Sequence, residues 1–392
     1  MKSKLLPITL VIIISMILGA CAPVAAPTPE IKVVEATVVV KETVEVIQTA
    51  APQATVAPVD PAANPYRPNN LFEVVTKLQE ATKGKTAPAD AKYALLTNAP
   101  TTFWTAAQIG AARASSEVNV PIIFQAPTSA EKLSQQLSML ETFISDKYTA
   151  ITFSAIDRTA AAPIIDRAVA DGIAVLCTDS DATGTQRSLY IGMSDFDAGV
   201  EAGKAAIEIV KEGKMVGLVG YATAQNAQDR IAGFKKAIEG SKITLEEVLY
   251  DDVKPEVSLS NAQTAMQKYP DLAGFITFYS YNGPTAGQAV KQAGNQGKVK
   301  IIAFDAEPDT QTLMEEGVVQ AMIGQRVYFY GYLSGYVMNA MSILGKDETL
   351  KILEPYLDGE GKYRLNTGVD VIKADSFQLY KDYLNSIGIA SQ

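Results

Sequence analysis

From Tyr93 onward, short apolar runs alternate with longer amphipathic segments, and this rhythm limits the fold more than any other feature of the chain. Tyr93–Leu96, Val120–Phe124, Ala150–Phe153 and Ala174–Cys177 form a first series; Met215–Val219, Leu245–Tyr250, Gly274–Phe278 and Lys300–Phe304 form a second. Apolar runs this short read as buried strands. Between them Ile231, Phe234 and Ile238 recur at helical spacing, and Thr128-Ser129-Ala130-Glu131 reads as a capping box opening a helix. Strand–helix alternation predicts α/β lobes, each a parallel sheet covered by helices, and two series predict two Rossmann-like lobes. In such sheets ligands sit beyond the carboxyl ends of the strands. The polar residues there are Asn98, Asp179, the 226–230 region, Asn282, Asp305 and Gln325, with Phe103 and Trp104 opening the first helix. Carboxylates and amides bond hydroxyls, and aromatic faces pack on C–H faces, which is the chemistry a sugar requires.

Composition narrows the function classes. The chain of 392 residues contains no histidine. That removes Ser-His-Asp and Cys-His catalysis, His-ligated zinc and imidazole acid–base chemistry; enzymes built on carboxylates, Lys or Tyr survive, but the expectation is a non-enzyme, with no cofactor or metal assigned. A net charge of −9 and a pI near 4.9, with no Lys/Arg-rich stripe, argue against nucleic acid as a partner. The two cysteines are Cys21 and Cys177, and the second lies in an apolar run that reads as buried strand.

The start of the chain has its own logic. Lys2 and Lys4 precede an apolar run ending at Leu18, followed by Gly19, Ala20 and Cys21. This is the layout of a secretory signal rather than of a membrane span. Leu18-Gly19-Ala20-Cys21 resembles the lipobox of bacterial lipoproteins, which implies cleavage after residue 20 and a lipid on Cys21. Residues 21–90 are rich in Pro, Ala, Thr and Val and read as a lipidated stalk, with a helical piece possible from Leu71 to Thr82.

Over about 92–345 the chain resembles the ribose- and glucose-type periplasmic binding proteins, the type I sugar-binding subunits of ABC importers. The resemblance is carried, in order, by Phe103-Trp104, by Asp179 ending a strand, and by Asn226-Ala227-Gln228-Asp229-Arg230-Ile231-Ala232-Gly233-Phe234. Asp305 after Ile301–Phe304 and Gln325 in Ile323-Gly324-Gln325-Arg326 complete it. It implies an N-terminal lobe of 91–193 and 326–350, a C-terminal lobe of 194–325, and a hinge return and C-terminal helix over 351–392. Three hinge crossings are implied, the last near 367–372. Phe103, Trp104, Asp179, Asn226, Gln228, Arg230, Tyr281, Asn282, Asp305 and Gln325 are the implied ligand contacts, with Tyr281 and Asn282 as alternatives. Ser180 stands where ribose binders carry arginine, so a neutral hexose or pentose is expected rather than ribose, with a polyol or inositol next.

The implied function is an extracytoplasmic, lipid-anchored, monomeric protein that closes on a monosaccharide and presents it to an ABC permease. Two alternatives remain at this stage: a ligand feeding a membrane sensor, including a furanose signal, and a glycosidase using Asp179 and Asp305. The segment 179–184 has a calcium-loop look, but its twelfth position is Tyr190, so the bidentate carboxylate is missing. Gly217-Leu218-Val219-Gly220 lacks the spacing of a phosphate cradle.

Overall fold

The structure, a computed structural model, describes residues 64–129, 131–222 and 224–389. The leader, Cys21 and the stalk to residue 63 lie outside them.

Two sheets organise the chain. The first contains β1 (Tyr93–Leu96), β2 (Ile122–Gln125), β3 (Ala150–Phe153), β4 (Ala174–Thr178) and β5 (Leu189–Gly192). Two late strands, β11 (Leu357–Asp358) and β12 (Arg364–Asn366), extend it to the order β2-β1-β3-β4-β5-β12-β11. The second contains β6 (Glu212–Val219), β7 (Lys242–Tyr250), β8 (Leu272–Thr277), β9 (Lys300–Phe304) and β10 (Ala321–Gln325), with β13 (Val369–Lys373) antiparallel to β10. Its order is β7-β6-β8-β9-β10-β13. Central strands such as β1 and β3 are buried along their whole length, as their unbroken apolar runs require.

Helices cover both sheets. The first lobe carries α1 (Asn69–Thr82), α2 (Thr105–Val118), α3 (Lys132–Ser145), α4 (Arg158–Ala170), α10 (Val327–Leu344) and α11 (Lys346–Leu353). The second carries α5 (Asp195–Ile209), α6 (Gln225–Ile238), α7 (Pro255–Lys268), α8 (Asn282–Gln292), α9 (Pro308–Glu315) and α12 (Phe377–Ser386). Local chemistry sets several starts. Asp157 caps α4 by accepting from the amides of Thr159 (2.8 Å) and Ala160 (3.0 Å), Ser194 caps α5 through the Asp197 amide (3.3 Å), and Pro308 occupies the first turn of α9. The capping box expected at 128–131 does not form. The helix begins at Lys132, and the Gln135 side chain instead accepts from the amides of Thr128 and Ser129 (2.7 Å each).

The same device locks a helix pair in each lobe. A methyl group on Gly110 or Gly331 would overlap the backbone of the facing helix in the α2/α10 pair, and Gly199 and Gly233 stand in the same relation in the α5/α6 pair. Backbone meets backbone there, which only glycine permits.

The boundaries drawn from sequence need correction at both ends. The stalk does not run to residue 90: α1 buries Leu71, Val74, Val75 and Leu78, and Phe72 packs edge-on against Phe329 of α10 (5.3 Å). An apolar stripe of this kind cannot be left in water beside the matching face of α10. Nor does the first lobe end at 350, since β11 and β12 add to its sheet beside β5.

The chain passes between the sheets after Gly192, after Gln325 and after Asn366, and the crossings are tied together. Arg326 donates to Asp370 Oδ1 from Nε (3.1 Å) and Nη2 (2.7 Å) and to the Thr367 carbonyl from Nη1 (2.9 Å). The Thr367 amide in turn donates to the Gly192 carbonyl (3.1 Å).

Candidate ligand-binding site

Both lobes end a central strand in an aspartate with left-handed backbone. Asp179 follows β4 with φ 61°, and Asp305 follows β9 with φ 66°. Aspartate tolerates this conformation better than most residues, yet it still carries strain, and such strain concentrates where a side chain must be aimed. Asp179 accepts from Ser154 Oγ (2.8 Å) and Asn98 Nδ2 (3.3 Å), and its carbonyl accepts from the Tyr190 hydroxyl (2.9 Å). Asp305 accepts from Gln325 Nε2 (2.9 Å).

Each amide is held by an aromatic donor. Trp104 Nε1 donates to Asn98 Oδ1 (3.1 Å), and the Tyr330 hydroxyl donates to Gln325 Oε1 (2.9 Å). The two acids are therefore oriented by parallel relays, aromatic to amide to carboxylate. With their carbonyl oxygens occupied, the amides can present only N–H to the aspartates.

Arg230 lies among these acids. It is 3% exposed, donates to Asp195 Oδ1 from Nε (2.8 Å) and to the Phe278 carbonyl from Nη1 (2.8 Å), and lies 4.8 Å from the Phe304 ring centroid. Burial works against its charge, but Asp195 and Asp305 hold it above the usual guanidinium range. Burial drives the acids the other way. It pushes Asp179 up to about 7, against the Ser154 hydrogen bond and the Arg230 charge, with Asp195 and Asp305 adding to the rise. Asp195 and Asp305 are raised by burial as well, opposed by Arg230. Glu307, which accepts from Thr102 Oγ1 of the other lobe (3.3 Å), is raised to about 7 by burial and then by the Asp305 charge. One guanidinium thus serves three enclosed carboxyls, each with acceptor positions left open. The cluster is short of donors.

Two cavities flank it. One of about 610 Å³ is lined by Asp179, Asp195 and Asn226, and one of about 250 Å³ by Phe103, Asp305 and Gln325. Asn226 Oδ1 accepts from the Tyr279 hydroxyl (3.0 Å), which fixes the amide at the mouth of α6.

Not every residue expected from sequence reaches this cluster. Trp104, expected as a stacking face, is 3% exposed and packs with Ala107, Val327 and Tyr330, so it acts through its Nε1. Phe103, edge-on to it at 5.2 Å, keeps a face on the smaller cavity. Gln228 is exposed and donates to the Ala222 carbonyl (3.1 Å), away from the cavities. Tyr281 and Asn282 belong to a separate cluster. The Tyr281 hydroxyl donates to Asp251, while Asn282, fully buried, donates to Asp251 Oδ2 (2.7 Å) and Ser258 Oγ (2.8 Å).

Sequence reasoning missed Ser154, Asp195 and Glu307. Ser154 was findable, since it follows β3 as Asp179 follows β4. Asp195 looks like an ordinary first-turn acid of α5, and nothing local marks it otherwise. Among the described residues no group of three His, Cys, Asp or Glu side chains is placed to hold a metal ion.

Known proteins share this architecture. A D-ribose/D-allose-binding protein of Pseudomonas aeruginosa is 25% identical over 199 residues, covering 49% of this chain, which spans 62% of the length of that relative. The D-allose-binding periplasmic protein of Escherichia coli is 24% identical over 262 residues, covering 60% of this chain and 80% of that protein. An arabinose-binding protein of Geobacillus stearothermophilus superposes with a TM-score of 0.64 at 26% identity, over 73% of this chain and 97% of that one. Residues 93–347 match the family described as the periplasmic binding protein domain, and the two α/β lobes agree with its type I architecture, so the chain belongs to that family.

Proposed function

We propose that this chain is an extracytoplasmic solute-binding protein, lipid-anchored through Cys21, which captures a neutral monosaccharide between its lobes and delivers it to an ABC permease. The observation that carries this reading is the shortage of donors around Asp179, Asp195 and Asp305. A cationic ligand would answer it too, but Arg230 already supplies the buried positive charge. A neutral polyhydroxyl compound adds donors without adding charge, and its C–H face suits Phe103.

Asp179 and Asp305 stand at equivalent places in the two lobes, so a ligand bonded to both holds the lobes together. Closure is then a population shift driven by contacts that exist only when the lobes meet. The relatives with sugar-binding names support this substrate class. No reaction is assigned.

A thermal-shift screen of the purified protein against pentoses, hexoses, polyols and inositol tests the reading. One neutral sugar is expected to stabilise strongly, and Asp305→Ala is expected to abolish the effect. Silence across the panel refutes it. Fatty-acid labelling that is lost in Cys21→Ser tests the anchor, and loss of sugar uptake on deleting the protein separates transport from sensing.

A further inference from the structure

The larger cavity exceeds the needs of one sugar ring. Its volume is about 610 Å³, within the roughly 300–1,000 Å³ of clefts that hold drug-sized ligands. Its outer part also differs from the acid cluster within. Ile156, Phe196 and Tyr221 line it at 37%, 42% and 48% exposure, and they are three of the six large apolar side chains left exposed among the described residues. Isolated surface apolar groups need no explanation, but half of them gathered at one mouth do.

These side chains come from both lobes. Ile156 follows β3 in the first, Phe196 lies in α5 and Tyr221 follows β6 in the second. Neither ring has an aromatic partner among the described residues. Polar groups stand beside them: Arg158 gives a single hydrogen bond, to Thr183 Oγ1 (2.8 Å), and Asp229 accepts one from Gln225 Nε2 (2.9 Å). Open guanidinium donors and open carboxylate acceptors next to unstacked rings repeat, at the mouth, the chemistry that recognises a sugar within.

We infer that the outer part of this cavity is a second saccharide subsite, so that the protein takes a disaccharide with one ring at Asp179 and the other between Ile156, Phe196 and Tyr221. The inference rests on the proposed function, because the inner ring is the sugar assigned there. The outer ring would be covered from both lobes, so lobe closure would be completed by the longer ligand.

Calorimetry on the purified protein tests this with matched probes: glucose, galactose, xylose and arabinose against cellobiose, lactose, xylobiose and arabinobiose. At least one disaccharide is expected to bind ten-fold or more tightly than its constituent sugars. Tyr221→Ala and Phe196→Ala, at exposed positions where folding is not at stake, are each expected to remove most of that advantage. Monosaccharide binding is expected to change less than two-fold in both variants, which separates a subsite from general damage. If a monosaccharide binds and every disaccharide is rejected or bound no better, the inference is overturned while the proposed function stands. A disaccharide advantage that survives both substitutions also overturns it, because the rings then serve something other than the ligand. If no probe of either length binds, the proposed function itself falls.

Discussion

Sugar affinity should depend on pH through Asp179, and the effect can be worked out from the site. Burial holds this carboxyl at about 7, so in the free protein it is half protonated at neutral pH. A sugar hydroxyl donates more strongly to the carboxylate than to the protonated acid, so the bound form favours the charged state. If the bound form titrates well below 6, binding releases almost a full proton at pH 6, half a proton at pH 7 and little at pH 8. Apparent affinity then rises about ten-fold from pH 6 to pH 8, or about 1.4 kcal/mol. The sign for stability is opposite. The folded value lies above the usual 3.8, so this group's contribution is full below about pH 4 and is lost as pH rises through about 7. The free protein should lose about 1.4 kcal/mol between pH 6 and pH 8 from this group, and the complex should not. Calorimetry in two buffers of different ionisation enthalpy reads the proton directly. The chain contains no histidine, so no imidazole titrates in the same window. Glu307, also at about 7, is the competing source, and Glu307→Gln removes it. Asp179→Asn should flatten the profile. Affinity constant from pH 6 to pH 8, with heats independent of buffer, would refute the reasoning.

Three further outcomes follow from the packing. Gly331→Ala forces a methyl into the backbone of α2 and should lower stability in urea by about 2 kcal/mol or more, with Gly199→Ala behaving alike in the other lobe. Trp104→Phe keeps the ring but removes the donor to Asn98, and should cost about 1–3 kcal/mol in stability while weakening sugar binding. Adding Asn98→Ala to it should cost less than the two single losses together, which a double-mutant cycle measures. Arg326→Met leaves the buried Asp370 without its cation and should cost about 3–5 kcal/mol in urea denaturation, part of which Asp370→Asn restores.

The strand-terminal acids were legible because their positions follow from local rules. An apolar run that ends in Asp places that residue at the carboxyl end of a parallel strand whatever the rest of the chain does, and Asp179 and Asp305 both obey. Arg230 and Gln228 show where such reading stops. They are two residues apart on α6, hence on nearly opposite faces, and only tertiary packing decides which face turns inward. Asn282 failed for a similar reason. Asp251, 31 positions away in sequence, claims its amide, and nothing near residue 282 announces that partner. Trp104 turns its N–H to Asn98 and buries its face, and a lone indole gives no sign in sequence of which of the two will be used. The sequence left a helical piece possible from Leu71 to Thr82, but its docking depends on the matching face of α10, where Phe329 meets Phe72.

The bracing of the crossing strands has a mechanical consequence. Arg326 joins the second crossing to the third, and the Thr367 amide joins the third to the first. Three strands linked in this way bend as one ribbon, because no strand can twist or slide without stretching a hydrogen bond to its neighbour. Motion between the lobes is therefore expected to follow mainly one bending coordinate of this ribbon. A single pair of labels, one on each lobe, should report the whole opening coordinate, and labels at any other pair of sites should rise and fall in step with it.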